Sequence, residues 1–393
     1  MARSYDIVLF GATGFAGGLT AEYLAANAPE GLRWALAGRS PAKLAGVRER
    51  LAEANPACSD LPLIGTDVSD LGSVRELAEA ARVVVSTVGP YVRYGEPLVA
   101  ACAAAGTDYL DLTGEPEFVD TMYLRYHQLA VSTGARLIHS CGFDSIPADL
   151  GVLFTVSQLP EPAPVSVSCF ARVSGTISGG TWHSTVEILG RLERGRRVAR
   201  ERRELERWLD PVAGGRRVRG VAGRPRFDEF VDGWIVPAPT IDPQTVLRSA
   251  RALDRYGPDF SYGHYLVTGS LLATAGLVAA VGGIAGAAHI RVGRNLLLRL
   301  HSPGEGPDLA RRDRSFFRLR FVAETPGSGE PLVTEVSGGD PGYGETAKML
   351  AESALCLASD GIELGGGQVT SAVALGEKLI ERLQRAGLKF TVI

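Results

Sequence analysis

The sequence predicts an α/β chain: a parallel, doubly wound N-terminal sheet followed by a second, α+β domain whose sheet is mainly antiparallel. Three observations carry this. Short apolar runs alternate with helix-patterned segments about six times before residue 140; three spaced glycines follow the first run; and the rhythm breaks after residue 145 into β-branched alternation.

The strand candidates are "DIVLF", "RWALAG", "LPLIGTD", "RVVVSTVG", "TDYLDLTG" and "ARLIHSCG". Between them, "AEYLAANA", "PAKLAGVRERLAEA", "SVRELAEA", "GEPLVAACAAAG" and "EFVDTMYLRYHQLAVSTG" have helical spacing. Beyond residue 145, segment 165–189 reads as strands of a second, antiparallel sheet ending at a helix start, and 315–336 as a hairpin around a Pro/Gly/Ser turn. "ETAKMLAESALCLASDG" and "TSAVALGEKLIERLQRAG" read as two amphipathic helices. The expected domains are 1–145, dinucleotide-binding; 146–344, for substrate and oligomerisation; and 345–393, helices returning to the first.

A chain of 393 residues is too long for one ordinary core, which agrees with this division. Its net charge of −3 gives no global attraction for nucleic acid. Five cysteines without regular spacing or a C-x-x-C pair suggest neither a disulfide framework nor a zinc ribbon, and fit a reducing cytoplasm. The first apolar run is too short for a signal-peptide core and reads as the first strand.

Two segments of the second region stand out. Residues 191–226 hold 13 Arg against 5 Asp or Glu, read as a solvated helix and mobile loop or as a surface for an acidic carrier protein or anionic membrane. Residues 266–290 carry no Lys, Arg, Asp or Glu and are long enough to span a bilayer, yet nearly half are Gly or Ala. A buried helical hairpin or lipid-facing cover is preferred there over an oligomer interface, as in a homodimer, or a transmembrane span.

The loop "FGATGFAGG" carries the chemistry. Strand, glycines and helix are the context of a Rossmann dinucleotide fingerprint: Gly11 permits the tight turn, Gly14 lets backbone approach a pyrophosphate, and Gly17 lets the helix pack on the strand. Ala12, Thr13, Phe15 and Ala16 complete the cradle. At the end of the second strand, where a carboxylate would hold a free ribose 2′-OH, "ALAGRS" places Arg39 and Ser40, with Lys43 one turn on. Those groups favour the 2′-phosphate of NADP(H). Asp67 and Val68 close the third strand near the adenine, and Thr87, Val88, Gly89 and Pro90 follow the fourth beside the nicotinamide ribose. Tyr91 and Tyr94 are then placed to donate near hydride transfer, and Gly142 lies on the rim after the sixth strand.

No Y-x-x-x-K pair is present: Tyr123 is followed by His127, and Tyr343 reaches Lys348 one residue late. No His/Cys/Asp/Glu cluster has zinc-ligand spacing, and His139 and His183 read as core or surface histidines.

The motifs "GATGFAG", "LAGRS", "STVGPYVRYGEPLVAACAAAGTDYLDLTGE", "HSCGFDSIPADLG", "SPGEGPDLARR", "DPGYGETAKMLAESALCL" and "GGGQVTSAVALGEKLIERLQRAG" extend over nearly the whole chain. Together the sequence resembles the saccharopine dehydrogenase-like oxidoreductases, and within them the trans-acting enoyl reductases of actinobacterial lipid and polyketide pathways; Ser371 stands where that family has proline. The resemblance implies NADPH and reduction of a carbon–carbon double bond on an acyl chain held by a separate synthase or carrier protein. In that reaction Tyr91 and Tyr94 would stabilise the enolate, while Glu115 and Asp144 would orient substrate or relay a proton. Two alternatives remain at this level: a semialdehyde or acyl reductase using Cys141 as nucleophile, and a non-catalytic, nucleotide-bound protein associated with lipid.

Overall fold

The computed structural model describes residues 3–175, 179–209, 215–300 and 312–393, with backbone alone at 179–181. Nearly all of "SPGEGPDLARR" and residues 210–214 of the arginine-rich stretch lie outside the described residues.

Strands β1 (Tyr5–Phe10), β2 (Trp34–Gly38), β3 (Leu63–Gly65), β4 (Ala81–Ser86), β5 (Asp108–Asp111) and β6 (Arg136–Ile138) alternate with helices and pair in parallel. The continuous apolar runs of β1 and β4 follow from burial on both faces. Ile7 and Leu9 point into one core, Val8 and Phe10 into the other. The order β6-β5-β4-β1-β2-β3 reverses direction between β4 and β1, which opens a crevice at their carboxyl ends.

The second sheet contains β7 (Val165–Ser174), β8 (Arg217–Gly220), β9 (Arg226–Asp228), β10 (Gly233–Pro237), β11 (Asp259–Thr268), β12 (Phe316–Glu324) and β13 (Leu332–Gly338). Two short C-terminal strands complete the fold: β14 (Gly367–Val369) joins the first sheet beside β6, and β15 (Lys389–Val392) joins the second beside β13. The expected hairpin is β12–β13.

The second sheet differs from expectation in detail. Segment 165–189 forms one strand, β7, followed by a helix, Gly179–Gly190. β11 runs parallel to both β7 and β8, so the sheet is mixed. The chain between β7 and β11 includes whole helices, which is the length a parallel connection requires. Segment 266–290 is no buried hairpin: its first residues end β11 and the rest forms a single helix, Leu271–His289, in which only Thr274 and Ala288 are buried.

The helix Ile146–Ser157 joins the two sheets. It is apolar and almost wholly buried, and approaches the second sheet so closely that a Cβ on Gly151 would lie 2.4 Å from the Phe321 ring. Its Asp149 accepts hydrogen bonds from the Ser371 hydroxyl at 2.7 Å, the Ala372 N–H at 2.8 Å and the Ser249 hydroxyl. One buried carboxyl therefore ties this helix to the helix Asp242–Ala252 and to the C-terminal segment. Asp149→Ala strands those donors and should lower stability by about 3 kcal/mol, measured by urea unfolding.

Candidate functional site

At the crevice, Gly11 has φ 94°, a conformation side chains disfavour. A Cβ there would sit 2.6 Å from the Thr87 hydroxyl and 2.7 Å from a Val88 methyl; one on Gly17 would sit 2.2 Å from the Gly11 carbonyl oxygen. Gly11 thus lets β1 turn against the end of β4, and Gly17 lets the helix Phe15–Asn27 rest on that turn. The Thr87 hydroxyl donates to the Gly11 carbonyl at 3.2 Å. Ala12 is buried beneath, whereas Thr13 and Gly14 are exposed and Phe15 and Ala16 half-exposed. Gly14 caps the helix without any side-chain hydrogen bond, so the first-turn N–H groups face outward for an anion.

At the end of β2, Arg39 is exposed and among the described residues makes no ion pair. The Ser40 oxygen accepts from the Lys43 N–H at 3.4 Å, capping the helix Pro41–Ala54, while the Lys43 side chain is exposed. The Asp67 carboxylate accepts from Ser69 N–H (2.9 Å) and hydroxyl (2.7 Å); these bonds, helped by the Arg39 charge, hold it below the usual range. Val68 is half-buried beside it. The residues fit a pyrophosphate at the helix start and a phosphorylated ribose beside Arg39 and Lys43.

Beyond β4, Thr87 and Val88 lead into a cis Gly89-Pro90 bond and the turn of helix Tyr91–Tyr94. Tyr91 departs from its expected role. Its buried hydroxyl donates to the Ser86 carbonyl at 3.0 Å and accepts from Leu112 N–H at 3.1 Å, and burial raises its pKa well above the ordinary value. Both capacities are spent on backbone, so it braces β4 against β5. Tyr94, 42% exposed, is the accessible phenol.

Glu115 is also a brace. It is fully buried and accepts from Tyr91 N–H (2.9 Å), Val92 N–H (2.8 Å) and the Ser184 hydroxyl (2.7 Å), holding the turn after Pro90 in place. Burial raises its pKa against the opposing pull of those donors. Gly142 is enclosed: a Cβ would lie 2.7 Å from Leu112 and 2.9 Å from Thr346, so packing explains the glycine. Cys141 is buried, donates to the Ile138 carbonyl at 3.5 Å, and is pushed far up by burial and then by Asp111. A neutral, enclosed thiol is no nucleophile.

Asp144 is largely buried against Gly114, and its pKa is raised to about 7 by desolvation, then by the charge of Asp242. Asp242 is itself raised to about 7 by burial. One pair escaped the sequence reading: His139 Nδ1 lies 2.6 Å from Asp111 Oδ2, both buried, while Asp111 Oδ1 accepts from Thr113 and Ser140 N–H. The available signal was that both end adjacent parallel strands.

The arginine-rich segment is divided. Helix Leu192–Leu209 docks its inner face on helix Pro116–Thr133: Arg191 and Arg194 pair with Glu117, and buried Arg202 pairs with Asp120 at 2.9 Å and covers the Tyr123 ring at 4.0 Å. Arg196, Arg197, Arg200, Arg203 and Arg207 remain exposed.

Parallel order, a glycine turn and cations just past the second strand define a nucleotide-binding oxidoreductase fold with an appended second sheet. Residues 7–138 match the saccharopine dehydrogenase NADP binding domain, so NADP(H) is the cofactor. The chain is similar to a Mycobacterium tuberculosis protein whose name is "putative trans-acting enoyl reductase", 40% identical over 410 residues, 98% of this chain and 97% of the relative. It is also similar to the trans-acting enoyl reductase of Mycobacterium ulcerans, 37% identical over 415 residues with the same coverage. The chain belongs to this saccharopine dehydrogenase-like, trans-acting enoyl reductase family. Saccharopine dehydrogenase of Saccharomyces cerevisiae has the same fold, with TM-score 0.55 and 14% identity over 99% of this chain and 100% of that one.

Two predictions test the geometry. Arg39→Asp should lower the NADPH over NADH affinity ratio about a hundredfold by removing the guanidinium and repelling the 2′-phosphate, measured by fluorescence titration. Asp242, raised from 3.8 to about 7, contributes stability fully present below its unfolded pKa and lost as pH rises through 7. Asp242→Asn should therefore flatten the fall in melting temperature between about pH 4 and 7, followed by calorimetry.

Proposed function

We propose that the protein reduces the α,β double bond of an unsaturated acyl thioester, presented by a separate synthase or its carrier protein, in a lipid or polyketide pathway of the cytoplasm. Identity of 37% over 98% of the chain to a relative named trans-acting enoyl reductase carries the reading. The phosphate cradle and Arg39 at the end of β2 support it. Residues 1–145 then bind cofactor, 146–344 hold the acyl chain, and 345–393 return to the first sheet through β14 before β15 closes on the second.

NADPH, when bound, supplies the hydride for the β-carbon. The chain must orient the thioester, stabilise negative charge on its oxygen and protonate the α-carbon. Gly11 to Gly17 hold the pyrophosphate, with Arg39, Ser40 and Lys43 at the phosphorylated ribose. Glu115 fixes the backbone of Tyr91 and Val92, and so the floor against which Thr87, Val88 and Pro90 face the reaction. Tyr94 donates to the developing oxyanion from the lip. Asp144, raised to about 7, keeps its proton on the acid side of neutrality and delivers it to the α-carbon. The enclosed Cys141 supports no covalent route.

Purified protein with NADPH and crotonyl thioester, free or carrier-bound, should oxidise NADPH and release the saturated acyl product, identified by mass spectrometry. Its kcat should fall as pH rises above about 7, as Asp144 loses its proton. Asp144→Asn should lower kcat about a hundredfold and abolish that limb. Absence of turnover with every enoyl thioester offered would sink the proposal.

A further inference from the structure

We infer that helix Leu271–His289 and the short helix Arg291–Leu297 seat the protein on an anionic lipid surface, lying within one leaflet without crossing it. At 1.5 Å per residue the first helix is about 28 Å long. It is apolar on all sides, whereas a surface helix normally has a polar outer face. One side meets helix Gly179–Gly190 and strands β10 and β11, yet most of it is uncovered. Leu272 is 83% exposed and, past the helix, Val292 is 77% exposed.

The topology rules out a single crossing. β11 ends at Thr268 and β12 begins at Phe316, and both pair with β7, at Leu266↔Ala171 and Phe316↔Ser174. One crossing would leave β12 across the bilayer from the sheet it belongs to. A returning span is excluded because residues 291–315 include Arg291, Arg294, Arg299, Glu305 and Asp308, breaking any apolar run of about 20 residues. The helix therefore enters and leaves from the same side.

Charge chooses the occupant. Residues 271–300 contain no Asp or Glu, while Arg291, Arg294 and Arg299 follow the apolar helix and, among the described residues, make no ion pair. A second copy packed on this face through residues 271–300 would bring cations together with no Asp or Glu of that stretch between them. Anionic headgroups above an acyl layer satisfy both arginines and helix.

The surface is coupled to the reaction site. Trp182 Nε1 donates to the Leu297 carbonyl at 2.7 Å, and the same helix carries Ser184, bound to Glu115, and Glu187, paired with Arg93 beside Tyr91 and Val92. Resting on the enoyl reductase reading, this arrangement would present the site to acyl chains at the membrane surface. Lipid binding itself does not need that reading.

The test uses full-length protein sedimented with vesicles of phosphatidylcholine alone or mixed with phosphatidylglycerol. Binding should need the anionic lipid and weaken with salt, and the Arg291→Gln/Arg294→Gln/Arg299→Gln triple variant should lose about a hundredfold in affinity. Leu272→Glu/Val278→Glu should lose binding as well, with NADPH affinity unchanged in both variants as proof of folding. Protein left in the supernatant with either vesicle overturns the inference. So does a lipid-free dimer, by sedimentation equilibrium, that the Leu272→Glu/Val278→Glu variant dissociates. Vesicle binding without turnover would count against the proposed reaction alone.

Discussion

The site depends on one close approach, that of helix Phe15–Asn27 to the end of β1. With Gly17 against the Gly11 carbonyl and Gly11 against Thr87, no side chain separates the helix start from the β1–β4 crevice. The uncapped N–H groups are thereby aimed at the place where strand order reverses. Any Cβ at Gly17 would push the helix away from β1 and move the anion cradle off the crevice.

Around that point the molecule spends buried carboxyl groups on architecture. Glu115 anchors the turn after Pro90, Asp149 ties the connecting helix to two other segments, and Asp111 holds His139. Each accepts from backbone or hydroxyl donors, which offsets the cost of burial. Asp144 differs: with fewer donors to offset its desolvation, and with Asp242 beside it, its pKa is raised to about 7 and its proton is available near neutrality. Carboxyls close together thus fall into different roles through their donors.

Local chemistry was legible in the residues. The β-α rhythm, the three glycines and the absence of an acid after β2 each depend on neighbours within a few positions, so one sequence displays them. Strands β14 and β15 were not legible: three or four residues show no period, and only an open edge of a formed sheet makes "GQV" or "KFTV" a strand. Likewise, "GPYVRYGEP" shows two tyrosines near the nicotinamide end, but not which one turns inward. Tyr91 meets Ser86 and Leu112 because β4 and β5 are adjacent, and that adjacency belongs to the sheet.

By itself the sequence determined the α/β class, the cofactor and the family, because these rest on short-range spacing and on motifs spread along the chain. Tertiary structure decided which side chains are braces and which remain free to react, because burial and donor count are set by segments far apart. It also settled that the apolar stretch after β11, expected as a buried hairpin or a lipid-facing cover, is an exposed helix and no hairpin. Composition says only that such a segment avoids water; whether the rest of the chain covers it depends on where the sheet leaves it.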